Sequence, residues 1–522
     1  MSARSIGFFL LATILTGSPG LAQPPEQVEV VPPPRRVPED VKPPAAPATL
    51  LAPEKNPIDL ASSLQLAGVQ NSEILLAREQ VTEAVALRQL AAAQYLPSIN
   101  AGTNVNTHTG PLQRANGEIL KVNRGAMYLG LGASAVGAGT VTIPGIVWNG
   151  NLSQTYFNAL VARQVVSARE FRSLAVRNDV LLRVATGYLE LLRAEGRRAI
   201  AVRNRAEAAE LARLTANFAA VGPGRQSDAD RSATVLAERD RELLEAENAV
   251  LTASARLAAL LDLDSTVRLQ ATDGWVVPAP IVPDPIPLAE LIAVAVSQRP
   301  ELQERRAAIL AAMLELRSAK LLPFSPNLLA GYSAGTFGGG SNLVAEGIPQ
   351  ANGSILQQHR FGNFDDRQDF DVVLWWTLRN LGVGNVAQVR LARSNLRQDQ
   401  LREVETLDRV RAEVATAYAR THARFAQIET GDRALQTSER AYQEDFTRTK
   451  NGFGLLIETL DSLRLLHRSR YAYLDAIVDY NQAQFVLYVA LGQPPAGVLA
   501  RPVPESLVPA PNRVESVPPK AP

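Results

Sequence analysis

The sequence contains no cysteine in its 522 residues. That absence excludes disulfide staples, a thiol nucleophile, a thiolate metal site and the acylated cysteine that anchors a bacterial lipoprotein. Charge of one sign is not in excess either: 53 Lys and Arg face 52 Asp and Glu, a formal net charge of +1. Nucleic acid, which needs a basic footprint to neutralise its phosphates, is therefore not an expected partner. Past the N-terminal apolar stretch, no hydrophobic run reaches the roughly 20 residues of a membrane-spanning helix. Any crossing of a bilayer would have to be a closed β-barrel. Histidine is scarce, and His108, His359, His422 and His467 lie far apart without metal-ligand spacing. No Lys-Ser or Lys-Thr follows the glycines of Gly335 to Asn342 to cradle a phosphate. The acidic run Phe364 to Asp371 could hold a hard cation through its carboxylates, but reads better as a solvated loop. No catalytic residue, cofactor or metal is expected, and the chain is not read as an enzyme.

What is present begins with a processing signal. Arg4, an apolar run from Ile6 to Leu15 and the small residues Gly20 and Ala22 predict a signal peptide over 1–22, cleaved after Ala22. Proline then recurs every few residues over 23–56 and again over 493–522, a composition that forms neither helix nor packed core, so both ends read as extended tails. A third proline-rich stretch, 277–287, reads as a semi-rigid linker.

This linker separates two halves, 57–276 and 288–492, that repeat one another. Pro57-Ile58-x-Leu60 corresponds to Pro285-Ile286-x-Leu288, and Glu73-Ile74 to Glu301-Leu302, at an offset of 228. Val184-Ala185-Thr186-Gly187-Tyr188 corresponds to Val414-Ala415-Thr416-Ala417-Tyr418, and Gly222-x-Gly224 to Gly452-x-Gly454, at 230. Ordered matches at a nearly fixed offset point to duplication.

Within each half, Ala/Leu/Arg/Glu-rich amphipathic runs predict three helices, about Ile58–Leu96, Asn151–Ala220 and Ser227–Leu263, then Leu288–Leu322, Gly384–Lys450 and Leu456–Leu491. Each middle helix, at about 70 residues, would be on the order of 100 Å long, and the two shorter ones laid end to end would match it. Between the first and second helices the period falls to 2. Strands are expected at about 97–108 and 125–135, and at about 326–337 and 369–379. Ile99, Ala101, Thr103, Val105 and Thr107 would point one way and Asn100, Gly102, Asn104 and Asn106 the other, an apolar-out, polar-in pattern of transmembrane length. Four strands cannot close a barrel, for which about eight is the minimum, so the chain should pool strands with copies of itself. Trp148, Trp375, Trp376 and Tyr332 fall near strand ends or faces, where an interfacial girdle would put them.

Together these features resemble the TolC-like outer-membrane efflux protein family over roughly Pro57 to Gly492. The carrying residues are Gln298-Arg299-Pro300-Glu301-Leu302, Ala319-Lys320-x-x-Pro323, the Gly222 and Gly452 turns, and Leu487-Tyr488-x-Ala490-Leu491-Gly492. The resemblance implies a mainly α fold with a membrane β-barrel. Four strands per protomer would build a trimeric twelve-stranded outer-membrane barrel, continued by a periplasmic α-barrel of duplicated helical hairpins. It implies a homotrimer in contact with outer-membrane lipid, a periplasmic adaptor (membrane fusion protein) and an inner-membrane transporter, acting as a passive gated exit duct for efflux or type I secretion. The hairpin tips, 219–230 and 451–461, would carry adaptor contact at Gly222, Gly224, Gly452 and Gly454. Glu458 and Asp461 match an acidic constriction, and Asp228 an acid that some relatives tie to an arginine; the position matching that arginine is Gly454, so the bridge does not carry over. A periplasmic coiled-coil scaffold or adaptor is the alternative, disfavoured by two hairpins and two membrane-length strand pairs.

Overall fold

The fold is that of a computed structural model, which describes residues 55–133, 142–222, 224–264, 266–273, 276–283, 285–341, 348–349, 355–356 and 362–495. The expected signal peptide, the N-terminal tail before Lys55 and the C-terminal tail beyond residue 495 lie outside the described residues. In chain order the elements are β1 (Lys55–Ile58), α1 (Leu60–Gln70), α2 (Ser72–Ala93), β2 (Ser98–Ile99), β3 (Ala101–Gln113), β4 (Ile119–Ala133), β5 (Ile143–Pro144), β6 (Ile146–Asn151), α3 (Leu152–Val221), α4 (Gln226–Leu260) and β7 (Arg268–Ala271). The second half adds α5 (Leu288–Gln298), α6 (Pro300–Leu321), β8 (Asn327–Ser341), β9 (Ile348–Pro349), β10 (Ile355–Leu356), β11 (Gly362–Trp375), α7 (Val383–Lys450) and α8 (Leu456–Ala490).

Where one first helix was expected in each half, the structure has two, broken at Asn71 and at Arg299, again 228 residues apart. Both breaking residues are extended, with ψ of 126° and 120°. Arg299 precedes Pro300, whose ring excludes the α region for the residue before it. Asn71 instead accepts from the amides of Glu73 and Ile74 at 3.0 and 3.4 Å, an N-cap that starts a new helix. At each break the end of a later helix arrives. Asn71 Nδ2 donates to Leu260 O at 2.9 Å and Asp262 accepts from Ser72 N at 2.5 Å, while Arg299 Nη1 donates to Val489 O at 3.4 Å and Arg299 also pairs with Glu413. So α4 stacks below α2, and α8 below α6. Each stack is a 22-residue helix on a 35-residue one, set beside the 70-residue α3 and the 68-residue α7.

Packing orders these lanes as α2/α4, α3, α6/α8, α7. The two largest buried apolar clusters sit at the breaks, and smaller ones lie along α7 and α8. Leu60, Leu64, Val180, Val184, Tyr188, Leu257 and Leu261 form one, and Leu291, Ala295, Val410, Val414, Leu487 and Leu491 the other. The repeat-related Val184 and Val414 are both 0% exposed. Strand β1 pairs in parallel with β7 at the edge of the first core.

One sheet follows the order β2-β6-β8-β4-β3, with β11 on the other side of β8 and β5 against β4. Residues 124–131 of β4 pair with 341–334 of β8, and 146–151 of β6 then take over along 332–327. Register places Val105, Leu129, Tyr332, Phe370, Val372 and Leu374 on one face, where Phe370 is 72% exposed. Tyr128, Ser333 and Asn104 lie on the other, and Tyr128 is 0% exposed, seated over the Gly130–Gly335 pair. Strands β3 and β4 run on to Gln113 and from Ile119, so the connection left between the strands expected at about 97–108 and 125–135 shrinks to residues 114–118. The segment Phe364 to Asp371, expected to be a solvated loop, is part of β11, with Asp365, Arg367, Asp369 and Asp371 alternating along it. Polar residues on both faces of these strand ends erase the hydrophobic alternation without weakening the backbone ladder.

The proline-rich stretch is packed down and does not act as a free spacer. Asn481 donates to Val277 O and accepts from Ala279 N, each within 2.9 Å, and Gln484 Oε1 accepts from Ile281 and Val282 N at 3.2 and 3.0 Å. Proline lacks an N–H, so the few amides left in this segment need dedicated acceptors. Gln484→Leu strands the buried Val282 amide, at a cost of about 1–3 kcal/mol. The expected outcome is faster proteolysis within 276–283 than in wild type; equal cleavage would show that the strap is held without Gln484.

Candidate functional site at the helical tips

Each hairpin turns on a Gly-x-Gly, and the two glycines do different work. Gly222 and Gly452 sit at φ of +100° and +79° with open space where a Cβ would go, so conformation selects them. Gly224 and Gly454 have no such φ; a Cβ there would lie 2.8 Å from Phe218 Cβ and 2.7 Å from Thr449 Oγ1, so close approach selects them. The amides of Gly222 and Gly224 both reach Phe218 O, at 3.1 and 2.9 Å, and Phe453 N reaches Arg448 O at 2.9 Å. Orphan carbonyls at the helix ends are thereby satisfied.

Asp228, Glu458 and Asp461 all stand near helix starts, where the dipole favours an acid. Asp228 pairs within its own helix with Arg231 at 3.4 Å. Glu458 lies 3.8 Å from Arg448, across the turn on α7. A base thus faces the second-tip acid across its own turn, while Asp228, whose expected counterpart position 454 is glycine, pairs with Arg231 on its own helix. Sequence reasoning missed Arg448; the available signal was a base on the descending helix ten residues before the acid. Asp461 is spaced i, i+3 from Glu458, on the same side of α8, and lines a groove of about 670 Å³ between α4 and α8 with Val235, Glu238, Arg239 and Arg464. Below the turn, Thr449 and Thr459 share a buried hydroxyl hydrogen bond of 2.7 Å. Val221, Phe453, Leu455 and Ile457 are exposed apolar residues at the tips, Phe453 at 84%.

The groove floor reaches a buried charge cluster that sequence reasoning did not single out. Arg470 makes a two-pronged pair with Glu207 at 2.6 and 2.7 Å and donates to Asn204 at 2.9 Å. His467, 3% exposed, places Nε2 3.4 Å from Glu207. Burial would raise the Glu207 carboxyl, but the hydrogen bonds and charges of His467 and Arg470 together outweigh it and hold it at about 2. Desolvation pushes the His467 imidazole down. Higher on the same interface, Asp479 pairs with Arg193 at 2.5 Å and Arg424 at 3.2 Å, and Asp475 with Arg197 at 2.5 Å, joining α3, α8 and α7.

Among the described residues, no group of three or more His, Asp or Glu could hold a metal ion, and no helix is long and apolar enough to cross a membrane. No protein-family model and no curated protein matches the chain. Solved structures do. The outer-membrane channel OprN aligns with a TM-score of 0.65 at 19% identity, over 83% of this chain and 89% of OprN. The Campylobacter jejuni CmeC outer membrane channel aligns at 0.66 and 15%, over 83% and 85%. The Vibrio cholerae outer membrane protein VceC aligns at 0.65 and 16%, over 83% and 96%. The chain therefore has the fold of these outer-membrane proteins, in agreement with the resemblance carried by its sequence motifs.

Two outcomes follow for the tips. Gly452→Ala should cost about 1–2 kcal/mol through its left-handed φ, whereas Gly454→Ala drives Cβ against Thr449 and should spread further. Amide hydrogen exchange over 445–460 should accelerate more in Gly454→Ala; the reverse order would contradict the assignment of the two glycines. Because the folded Glu207 pKa is depressed from 4.5 to about 2, the stability it contributes is complete above about pH 4.5 and is lost as pH falls towards 2. Thermal midpoints should fall across that window in wild type and less steeply in Glu207→Gln.

Proposed function

We propose that the chain is one protomer of a TolC-like outer-membrane channel, a passive gated duct that spans the outer membrane and continues through the periplasm. The observation that carries this reading is a sheet with an exposed apolar face whose two long outer strands, β3 and β11, each pair with one strand among the described residues, joined to a helical layer roughly 100 Å long. In lipid an open edge leaves backbone groups unsatisfied, which is prohibitive. The sheet is four lanes wide once β2/β3 and β4/β6 are counted as continuous, so three copies supply twelve lanes, enough to close a barrel. The helical layer is open in the same sense: Leu76, Leu90 and Leu244 on the α2/α4 lane are exposed and would meet a neighbouring protomer. A soluble scaffold has no use for the apolar sheet face.

On this reading the tips point into the periplasm. Val221, Phe453 and Leu455, with the groove between α4 and α8, suit a helical adaptor, and an inner-membrane transporter would supply the energy, since the sequence carries no Gly-rich phosphate-cradling motif followed by Lys-Ser or Lys-Thr. Glu458 and Asp461, repeated three times about an axis, would concentrate cations at the constriction. Asp228, held by Arg231 on its own helix, and Gly454, which offers no base, leave closure to other contacts between protomers.

Native mass in detergent, after extraction from separated outer membranes, tests the assembly. Three full chains at 56.3 kDa each give about 170 kDa before any processing; a monomer, or recovery from the soluble periplasm alone, would defeat the channel reading. In planar bilayers, Glu458→Ala with Asp461→Ala should lower cation preference, and unchanged selectivity would remove the ring from the mechanism.

A further inference from the structure

The junction between sheet and helices is not the same in the two repeats. In the first, β6 passes directly into α3, with Asn151 accepting from Gln154 N at 3.1 Å as the cap. Trp148 and Trp376 stand 228 apart, but Val184 and Val414 stand 230 apart, so the second repeat has two additional residues here. They are spent on a bend in which Asn380, Leu381 and Gly382 are all left-handed, at φ of 50°, 56° and 91°. For leucine that conformation is unfavourable. Asn385, buried at the start of α7, holds the bend by accepting from Arg379 N at 2.8 Å. Its result is a leucine side chain that is 94% exposed.

Around this bend the exposed apolar face of the sheet continues. Phe370, Val372 and Leu374 lead on to Trp376, Leu378 and Val383, all exposed, and the Trp376 indole donates to Phe324 O at 3.3 Å. Beyond this apolar step the charge changes sign. The windows 84–100, 151–166, 310–326 and 376–398, which flank the sheet on the four helical lanes, contain Arg88, Arg163, Arg317, Lys320, Arg379, Arg390, Arg393 and Arg397 against the single acid Glu315. All eight bases are exposed. Further along the helices, by contrast, acids and bases are interleaved in pairs such as Arg203–Glu439 and Arg205–Asp240.

We propose that the bend and this basic collar form a lipid-seating site for anionic phospholipid in the leaflet that faces the helices. Leu381 enters the acyl region beside Trp376, and the collar, led by Arg379, Arg390 and Arg393, contacts the headgroup phosphates. An apolar step followed by a band of bases matches a membrane boundary, where aromatic residues sit at headgroup level and basic residues attract anionic lipid. The site fixes the depth at which the channel sits and gives it a lipid preference. It rests on the outer-membrane reading above.

The native chain lacks cysteine, so one introduced thiol per protomer reports one place. Leu381→Cys, Val372→Cys and Leu244→Cys are labelled with a nitrobenzoxadiazole fluorophore. Each is reconstituted in phosphatidylcholine vesicles carrying the same mole fraction of doxyl-phosphatidylcholine or doxyl-phosphatidylglycerol. Quenching is expected at 372 and 381 but not at 244. At 381 phosphatidylglycerol should be enriched about fivefold, the factor that one basic contact supplies, and Arg379→Gln with Arg390→Gln and Arg393→Gln should abolish that preference. Quenching at 372 without quenching at 381 overturns the proposal and leaves the channel reading intact, whether 381 is then blue-shifted under a neighbouring protomer or open to water. Equal quenching at 381 by the two lipids overturns the anionic seat. Absence of quenching at 372 defeats the channel reading itself.

Discussion

The helix breaks at Asn71 and Arg299 are the constraint on which the rest of the helical layer depends. A 70-residue helix cannot be flanked along its length by a short one, and a second helix must arrive to continue the lane. The arriving helix ends in unsatisfied carbonyls and the departing one begins with unsatisfied amides. Joining them inside a core leaves polar groups buried unless each finds a partner. Asn71, donating to Leu260 O, and Arg299, donating to Val489 O, each serve two helices with one side chain. The two largest apolar clusters are centred there, and the linker is strapped down beside the second. Lane length, core position and the equality of the two repeats therefore follow from one joint used twice.

Away from the joints the lanes are held by charge as much as by apolar contact. Long helices with alanine at many interior positions approach closely but bury little apolar area per residue, so arginine spans the remaining gaps. Arg193, Arg197, Arg424 and Arg470 each reach a carboxylate on another helix. An exposed pair of this kind contributes little. Arg470 is different, because it is buried and removal of Glu207 would leave a charge with no counterion, which is far costlier than the pair is worth. Such pairs set the register of one lane against the next.

Legibility in the sequence tracked the range of the interaction. The ends of α3 and α7 were readable to within about a residue because local signals punctuate them, Asn151 at one cap and Gly222 and Gly452 at the turns. The outward face of the strands was readable wherever alternation was hydrophobic, as from Ile99 to Val105. It failed beyond Thr107 and across Phe364 to Asp371, where both faces are polar and only the backbone ladder continues. Asn71 was hidden in a run that is helical by composition on both sides, and the pull of Leu260 on its side chain is 189 residues away. Arg299 was visible as a motif residue but not as a break. Among the tip residues, both Gly-x-Gly turns were evident, whereas the Arg448–Glu458 contact depends on which faces of α7 and α8 meet. The left-handed bend at Leu381 carried no signal except Gly382.

Identity of 15–19% with outer-membrane proteins that share the fold over 83% of the chain is intelligible on these grounds. What the architecture requires is sparse: a joint per repeat, a positive-φ glycine per tip, small residues along the lanes and alternation in the strands. Each requirement names a residue class at a spacing, and most side chains between are free to drift. By the same reasoning the architecture constrains few side chains individually. A chain that needs only class and spacing to fold leaves a few positions with individual chemistry, such as Arg448 beside Glu458, free to differ from one sequence with this fold to another.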